Sequence, residues 1–399
     1  MVTCAARIPS VELGAIIPFS ELQKRNLCTF QYKDEISLSP GDIAWCDILF
    51  IMRGTSPRSV WAAQEAKKLG RLVLSWWDDD LVDIPAFSLS YQHYSSPEVK
   101  KNINILFQLS DAFFSPSPIL AANLSHLQVA VVNVINSNVL PEPMGARHLK
   151  PFRQQSQHIP VVGFSGSLDH RKQLDSLLGP ALAAAATSTN FKVHIIGPKP
   201  NFIDKLPVKT IHTQYMQNYY DYLTFASKLN WDIGLAPQVD DEFTNCKYHV
   251  KLLEYTHIGC AGIYSKVDLY SGVIVDGITG LLVDNEVTAW EDAIVRLLKD
   301  PELRFKIASN AYEFVQSHHN REIVSEKYAA VLGPFLRHRA PTIRKTYTSR
   351  SILPNKFKQL YTRSAENIKI HGMKHYLWVA PRYLFFIVRQ SLFHKITGK

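Results

Sequence analysis

The sequence predicts an α/β protein of two doubly wound parallel sheets that face a central cleft, followed by a basic C-terminal helical tail. Short apolar runs alternate with segments of helical periodicity over the first 150 residues. A polar stretch with four prolines then interrupts the pattern between 141 and 160, and the same alternation starts again. Alternating strands and helices imply a parallel sheet that is covered on both faces. We therefore predict domains at 1–150 and 151–335 and a tail at 336–399.

The first domain is predicted from short apolar runs that are separated by helical patterns. The helix at Ser59–Gly70 ends at a glycine, a common stop signal, and a second helix is predicted at Val99–Ser110. The apolar runs predict buried strands at Ile43–Arg53, Arg71–Trp77, Asp111–Ser117 and Val129–Asn136.

The second domain repeats this organisation after the polar stretch. Strands are predicted at Ile159–Gly166, Phe191–Gly197, Trp231–Pro237, Ala261–Ser265 and Gly280–Asp284. Helices are predicted at Lys172–Ala186, Tyr219–Leu229 and Tyr248–Gly259, with two more between Thr288 and His319. Ligands of open α/β folds bind outside the carboxyl ends of the strands, so we expect a binding cleft where the two sheets face each other.

The charge of the chain is unevenly distributed. The net charge is +9, but the segment from Arg337 to Lys399 holds 14 Lys and Arg and one acid, which leaves the remainder slightly acidic. A nucleic-acid-binding protein would carry its basic patch on the folded body, so nucleic acid is not expected as a partner. The five cysteines are odd in number and lack CxxC spacing, which predicts reduced thiols and neither a zinc site nor a disulfide framework.

Three charged residues near 250 have the spacing of a helical face. Lys247, Lys251 and Glu254 follow one another at i, i+4 and i+7, and Lys247 is expected at the start of the helix, where an anion is favoured. Two lysines suit a diphosphate, and a carboxylate can accept hydrogen bonds from both hydroxyls of a ribose. An ordinary solvated helix face has the same spacing, so the pattern alone leaves both readings open.

The surroundings of this face resemble the nucleotide-sugar site of GT-B glycosyltransferases of the large retaining family 4. That family has a K-x-x-x-K-x-x-E-Y-x-x-x-G run, then D-G-x-x-G-L-L-V and W-x-x-A-I-x-x-L-L-x-D-P-x-L-R. The matching segments are 247–259, 276–283 and 290–304, and the resemblance covers about 159–320. It implies two Rossmann-like domains and a retaining sugar transfer from a nucleotide sugar, which is a substrate, with no cofactor and no bound metal. Lys247 and Lys251 would stabilise the departing diphosphate, and Glu254 would hold the ribose.

One position departs from the family pattern. A second acid, which contacts the donor sugar, normally precedes the ribose-binding glutamate by eight residues, and Cys246 stands there. Asp240, Asp241 or Glu242 could take this role after a small shift.

A glycine turn is the second candidate segment. The predicted strand ending in GFSGS passes through Gly166 and Ser167, where backbone N–H groups can approach a phosphate closely. The resemblance places Gly166, Ser167 and Arg171 beside the diphosphate and His170 on the acceptor side of the cleft. For His170, a solvated loop histidine is the alternative.

Acidic residues follow the second predicted strand. Asp78, Asp79 and Asp80 are expected at its carboxyl end and Arg53 at the end of the preceding strand, so all four are cleft candidates for acceptor binding or as a base. Simple capping of the next segment is the alternative. A DxD metal site is not expected, because the two-domain pattern resembles GT-B enzymes, which do not need one.

The tail interleaves aromatic and basic residues. Residues 340–399 contain no run long enough to span a bilayer, but they suit an interfacial helix on anionic lipid. A helix packed on the first domain or an oligomer contact are the alternatives. The N-terminus lacks the pattern of a signal peptide. We therefore expect a cytoplasmic enzyme, peripheral on the membrane, that transfers sugar to a glycan or lipid-linked acceptor in surface-polysaccharide synthesis.

Other functions remain compatible with the sequence. A nucleotide-sugar epimerase or a phosphorylase could share this fold. Cys246 at the position of the usual acid is also compatible with a catalytically degenerate scaffold in a polysaccharide assembly complex.

Overall fold

The computed structural model describes residues 1–88, 90–126, 130–134, 158–167 and 173–337. These residues form two six-stranded sheets in which all the strand pairings are parallel. The predicted class of two doubly wound units is therefore confirmed. The predicted tail lies outside the described residues from 338 onward, as does most of the predicted linker.

The first sheet has the strand order β2-β1-β3-β4-β5-β6. Its strands are β1 (Val2–Cys4), β2 (Tyr32–Asp34), β3 (Ile48–Met52), β4 (Leu72–Trp76), β5 (Ala112–Ser115) and β6 (Ala130–Asn133). The associated helices are α1 (Pro9–Val11), α2 (Ile17–Lys24), α3 (Pro40–Trp45), α4 (Pro57–Lys68), α5 (Tyr91–Tyr94), α6 (Pro97–Leu109) and α7 (Pro118–Asn123). A π-helical segment, Glu12–Ile16, joins α1 to α2, and short 3₁₀ turns occur at Glu35–Ser37 and Leu124–His126.

The second sheet has the order β12-β11-β10-β7-β8-β9. Its strands are β7 (Val161–Ser165), β8 (Lys192–Ile196), β9 (Lys209–Thr213), β10 (Ile233–Ala236), β11 (Ala261–Ser265) and β12 (Leu281–Val283). Its helices are α8 (Gly179–Ala185), α9 (Tyr219–Ala226), α10 (Glu242–Asn245), α11 (Val250–Ile258), α12 (Asp268–Ser271), α13 (Val287–Lys299) and α14 (Pro301–His319), and α15 (Arg321–Arg337) follows. A π-helical segment, Leu174–Leu178, leads into α8, and a 3₁₀ turn covers Ile203–Lys205.

The predicted strand from Ile43 to Arg53 is only partly correct. The structure places residues 40–45 in α3 and begins the strand at Ile48. Ser39 accepts from the amide of Asp42, and the Asp42 carboxylate accepts from the amide of Ser39. This reciprocal capping starts a helix where the apolar run alone suggested a strand.

Several elements have no counterpart in the prediction. The edge strand β2 has three residues, all partly exposed, and the edge strand β9 is exposed at three of its five positions, so both lack the continuous apolar run of a buried strand. Strand β1 is buried, but it has only three residues.

Helix α15 crosses from the second unit to the first. The chain turns at Asn320 after α14, and α15 then buries Val324, Tyr328 and Leu332 in the core that contains β3 and β4. The Tyr328 hydroxyl donates to the carbonyl oxygen of Gly14 over 2.6 Å. A helix that lies within the range predicted for the second domain thus packs on the first sheet. The predicted domain limits themselves stay a prediction.

No helix in the described part of the chain is both long and apolar enough to cross a bilayer.

Candidate active site

The helix α11 carries a partly buried ion pair at the carboxyl end of β7. Lys251 Nζ lies 2.6 Å from Glu254 Oε2, and it donates to Ser165 Oγ over 3.1 Å. The residue Glu254 is only 6% exposed. A buried carboxylate of this kind needs close partners, because desolvation strongly disfavours an isolated charge. The prediction that Lys251 and Glu254 lie on one face is confirmed.

A tyrosine that was not among the predicted site residues completes this cluster. Tyr222 of α9 donates to Glu254 Oε2 over 3.3 Å and lies 2.9 Å from Ser165 Oγ. Burial, and then the charge of Glu254, raise the pKa of Tyr222, so its phenol stays protonated and donates. The sequence predicted a helix over this segment but gave no sign of a polar partner for Tyr222.

Lys247 does not share the helical face, contrary to the prediction. The helix begins at Val250, and Lys247 lies in the turn between α10 and α11. Its ammonium stacks on the ring of Phe243, 4.7 Å from the centroid. Lys247 is outside the helix because Asp241 caps α10, accepting from the amide of Thr244, and this short helix ends before Lys247.

Arg53 forms ion pairs with two of the three aspartates that were predicted to lie in the cleft. Its guanidinium binds Asp78 Oδ1 at 3.0 Å and Asp79 Oδ2 at 2.9 Å. Burial raises the pKa of Asp78. Burial acts in the same direction on Asp79, but the attraction of Arg53 and then of Lys247 outweighs it and lowers the pKa of Asp79. Lys247 of the second unit therefore lies near the acidic residues of the first, across the cleft.

Asp80 has a different environment from its two neighbours. One of its oxygens, Oδ1, accepts from the amides of Val82 and Asp83. The residue is 8% exposed, and burial raises its pKa. Asp80 thus caps the following backbone, as the alternative prediction had it, whereas Asp78 and Asp79 bind Arg53.

Cys246 is buried at the contact between the units. Asn123 of α7 donates to its sulfur over 3.2 Å, and the residue is 1% exposed. Burial raises the pKa of the thiol to about 12, and Asp80, Glu242 and Asp79 act in the same direction. A carboxylate at this position would face those acids, which is a physical reason for an uncharged side chain here.

Asp240, Asp241 and Glu242, which could take the place of the family's sugar-contacting acid, have separate roles in the structure. Asp240 accepts from Asn245 over 3.0 Å, and Asp241 caps α10. Glu242 is exposed and lines a cavity between the units.

The glycine turn brings two backbone segments close together. The Gly166 amide donates to the carbonyl of Ile196 over 3.1 Å, so it is not free to bind a phosphate as predicted. Gly197 has φ +128°, and a Cβ there would lie 2.1 Å from the Gly166 oxygen. Ser167 is exposed at the mouth of the turn. The predicted site residues His170 and Arg171 lie outside the described residues.

A polar contact joins the two units at the other side of the cleft. The Tyr220 hydroxyl of α9 donates to Glu12 Oε2 over 2.6 Å, and Glu12 is 2% exposed. Arg7 pairs with the same carboxylate, and its guanidinium lies 5.5 Å from the Tyr220 ring centroid. No local sequence pattern indicates this contact, because Tyr220 and Glu12 are more than 200 positions apart.

Within the described residues, no group of three or more His, Cys, Asp or Glu side chains could hold a metal ion. Charged side chains of the two units face each other at the carboxyl ends of the sheets. Lys251 and Glu254 belong to the second unit, and the arginine-bound aspartates belong to the first. Such a cleft can bind an anion and hydroxyl groups at once.

Residues 159–300 match the family model described as glycosyl transferases group 1. The matched region contains Lys247, Lys251 and Glu254. The chain matches no curated protein.

Solved structures of low sequence identity share the fold. The Anabaena protein HepE, solved with UDP and glucose, is 12% identical with a TM-score of 0.56, covering 84% of this chain and 99% of that one. The lipopolysaccharide outer core galactosyltransferase WaaB, in its apo form, is 13% identical with a TM-score of 0.52, covering 84% and 100%. Sucrose-phosphate synthase from Thermosynechococcus elongatus is 16% identical with a TM-score of 0.51, covering 73% and 74%.

The family match and the fold agree with the arrangement of the cleft. The match covers the unit that carries the Lys251–Glu254 pair, and the fold extends over both sheets. Residues 159–300 are thus similar to the glycosyl transferases group 1, and the described residues share the two-domain GT-B fold of HepE and WaaB.

Proposed function

We propose that the enzyme transfers a sugar from a nucleoside-diphosphate sugar to a glycan or lipid-linked acceptor, with retention of the anomeric configuration and without a bound metal. Surface-polysaccharide synthesis is the process that suits this reaction. The neighbours HepE and WaaB support it by analogy, since HepE was solved with UDP and glucose and WaaB is a galactosyltransferase of the lipopolysaccharide outer core.

The pair of Lys251 and the buried Glu254 carries the proposal. A lysine that is kept beside a glutamate at the carboxyl end of a parallel strand can move toward a phosphate, while the glutamate accepts the ribose hydroxyls. In an ordinary surface pair both side chains would be exposed, whereas here the side chain of Glu254 is 8% exposed and that of Lys251 is 17% exposed.

The demanding step is the departure of the nucleoside diphosphate from the anomeric carbon. Negative charge grows on the phosphate oxygen as this bond breaks, and a fixed cation stabilises it more in the transition state than in the bound donor. Lys251 is the cation we assign on the nucleotide side. Lys247, held near Asp79, is placed where the two units meet and is the second candidate.

Replacing Lys251 tests this role. Lys251→Ala should lower turnover of the nucleotide sugar about 100-fold, the scale of losing one charge-stabilising donor in the transition state. The substitution also leaves Glu254 buried without its cation, which destabilises the fold. Thermal melting of the same samples is therefore measured beside turnover.

Two further variants make this test decisive. Lys251→Met combined with Glu254→Gln removes both charges and should restore the melting temperature but not turnover. Lys209→Ala, which removes an exposed lysine from β9, should leave both unchanged. Turnover within threefold of the native enzyme in Lys251→Ala would reject the assignment.

The donor is identified by ligand stabilisation. UDP-, GDP-, dTDP- and CDP-sugars are compared for the rise in melting temperature, since a ligand that binds the native state stabilises it. A donor that stabilises the native enzyme should stabilise Glu254→Gln less, because the ribose loses its carboxylate.

Membrane attachment through residues 340–399 rests on their sequence alone, because they lie outside the described residues. Their basic and aromatic composition suits an anionic lipid surface, where a lipid-linked acceptor would be found. Removing 340–399 should abolish co-sedimentation with vesicles of phosphatidylglycerol and phosphatidylcholine. Undiminished binding of the truncated enzyme would contradict the proposal.

A degenerate scaffold is the second candidate, and Cys246 favours it. The thiol occupies the position of the family's sugar-contacting acid and stays protonated. Such a protein would bind the donor without transferring or hydrolysing the sugar. Release of nucleoside diphosphate in the presence of acceptor would exclude it.

A further inference from the structure

A cavity of about 630 Å³ lies between the two units, next to the proposed donor site. Asn123 lines it from the first unit and Phe243 from the second. Both residues also contact residues of the proposed donor site, because Asn123 donates to Cys246 and Phe243 contacts Lys247. A molecule in this cavity would therefore lie beside the reacting end of a bound donor.

The cavity is acidic. Asp80, Asp83, Glu242 and Asp268 line it, and its lining in the described part of the chain includes no Lys or Arg. A ligand with a carboxylate or phosphate group would meet like charges without a compensating cation.

Asp80 is the buried polar group of this wall. It is 8% exposed, and within the described residues its two side-chain hydrogen bonds both end at Oδ1. Among the described residues no hydrogen bond to Oδ2 accompanies these two, so this oxygen can accept one from a ligand. A carboxylate oxygen in this state accepts a hydrogen bond from a hydroxyl group.

The remaining walls suit the ring of a sugar. Phe107 and Phe243 supply aromatic surface, and Asn104 and Asn245 supply side-chain amides that donate and accept. Sugar rings present apolar C–H faces and a rim of hydroxyls, so they match a site with apolar walls and a few polar groups.

We infer that this cavity binds the acceptor through a sugar ring that carries hydroxyls and no acidic group. The inference rests on the proposed function, and it narrows the acceptor by excluding a uronic acid or a phosphorylated sugar as the ring bound there. The Asp80 carboxylate accepts from a ring hydroxyl, and the four acids repel an anionic ring.

The native enzyme is tested with matched sugars by saturation-transfer-difference NMR in the presence of UDP. The methyl glycosides of glucose, galactose and mannose are compared with those of the corresponding uronic acids, which differ only in the carboxylate. At least one neutral glycoside should receive saturation, and its uronic acid should receive at least fivefold less. Equal signals within each pair, or none from the neutral glycosides, would overturn the inference.

Variants locate the binding in the cavity. Asp80→Asn keeps an oxygen for the amides of Val82 and Asp83 but replaces the free carboxylate oxygen, and it should reduce the neutral signal at least threefold. Glu242→Gln combined with Asp268→Asn should raise the uronic acid signal. Asp204→Asn, on an acid of the second unit away from the cavity, is the charge-matched control and should change neither signal.

Nucleotide binding separates this inference from the proposed function. Calorimetry with each nucleoside diphosphate on the same samples reports the donor site alone. Binding of a nucleotide together with no preference for neutral sugars would overturn the inference about the cavity and leave the donor assignment intact. Absence of nucleotide binding would overturn both.

Discussion

At the residue scale, the two oxygens of Glu254 have different surroundings. Within the described residues, the hydrogen bonds from Lys251, Ser165 and Tyr222 all end at Oε2. The other oxygen, Oε1, receives none of these three hydrogen bonds, and it is the atom we assign to the ribose. Tyr222 acts as a positioning residue, because its hydroxyl fixes the carboxylate and does not itself need to touch the donor.

Removing the Tyr222 hydroxyl should weaken recognition of the ribose. Tyr222→Phe deletes a buried hydrogen bond to a charged group, which contributes about 1.5–3 kcal/mol. We expect weaker binding of UDP, or of the nucleotide that the donor screen identifies. We also expect a smaller ratio between its affinity and that of the 2′-deoxy analogue. Calorimetry with both nucleotides measures this ratio.

A structural effect alone would not change that ratio. Tyr255→Phe is the control, because the Tyr255 hydroxyl is also buried but donates to the carbonyl of Leu235. It should destabilise the protein and leave the discrimination between ribose and deoxyribose unchanged. The same loss of discrimination in both variants would contradict the positioning role.

At the scale of elements, the start of α11 depends on a neutral histidine. His249 precedes the helix, stacks on Tyr248 with ring centroids 4.0 Å apart, and lies 5.3 Å from the ring of His319 at the end of α14. Its Nε2 is buried and has no hydrogen-bond partner within the described residues. Burial, and then His319, lower the pKa of His249 to about 3.

This histidine should make the protein less stable in mild acid. In the folded state the pKa lies below the unfolded value of about 6.5, so the unfolded chain binds the extra proton. Stability is therefore lost as the pH falls through the unfolded value, by about 1.4 kcal/mol between about pH 7.5 and about pH 5.5. His249→Phe keeps the ring stack and removes the titration. Urea unfolding of both proteins at the two pH values should show this difference, and equal pH dependence would reject it.

Some helices and strands could be predicted from the sequence and others could not. Helix α11 was predicted, because its apolar periodicity and the glycine at 259 are local signals. The position of Lys247 was not predicted. The cap at Asp241 starts a separate short helix, α10, which ends before Lys247, and the apolar periodicity does not show this break. Strands β2 and β9 were missed because their exposed and partly exposed positions break the apolar run, and pairing with a neighbour determines them more than their own composition does.

At the scale of the whole molecule, the sequence indicated two units but not how they meet. The contacts that join them, from Asn123 to Cys246 and from Tyr220 to Glu12, connect residues more than 100 positions apart. Local patterns carry no information on such pairs. The roles of Cys246 and Asp80 could be read only after the two sheets were placed face to face.

The contact between Tyr220 and Glu12 should control how the units close on a bound donor. The hydroxyl of Tyr220 donates to a buried carboxylate, although the residue itself is 42% exposed. Losing a hydrogen bond to a charged group removes about 1.5–3 kcal/mol from the closed arrangement. In Tyr220→Phe we expect a larger radius of gyration by X-ray scattering and a lower kcat. The affinity for the nucleotide should stay unchanged, because Lys251, Glu254 and Tyr222 all belong to one unit.

Tyr91→Phe, a partly exposed tyrosine within the first unit, is the control. A native kcat in Tyr220→Phe would show that this contact does not govern closure.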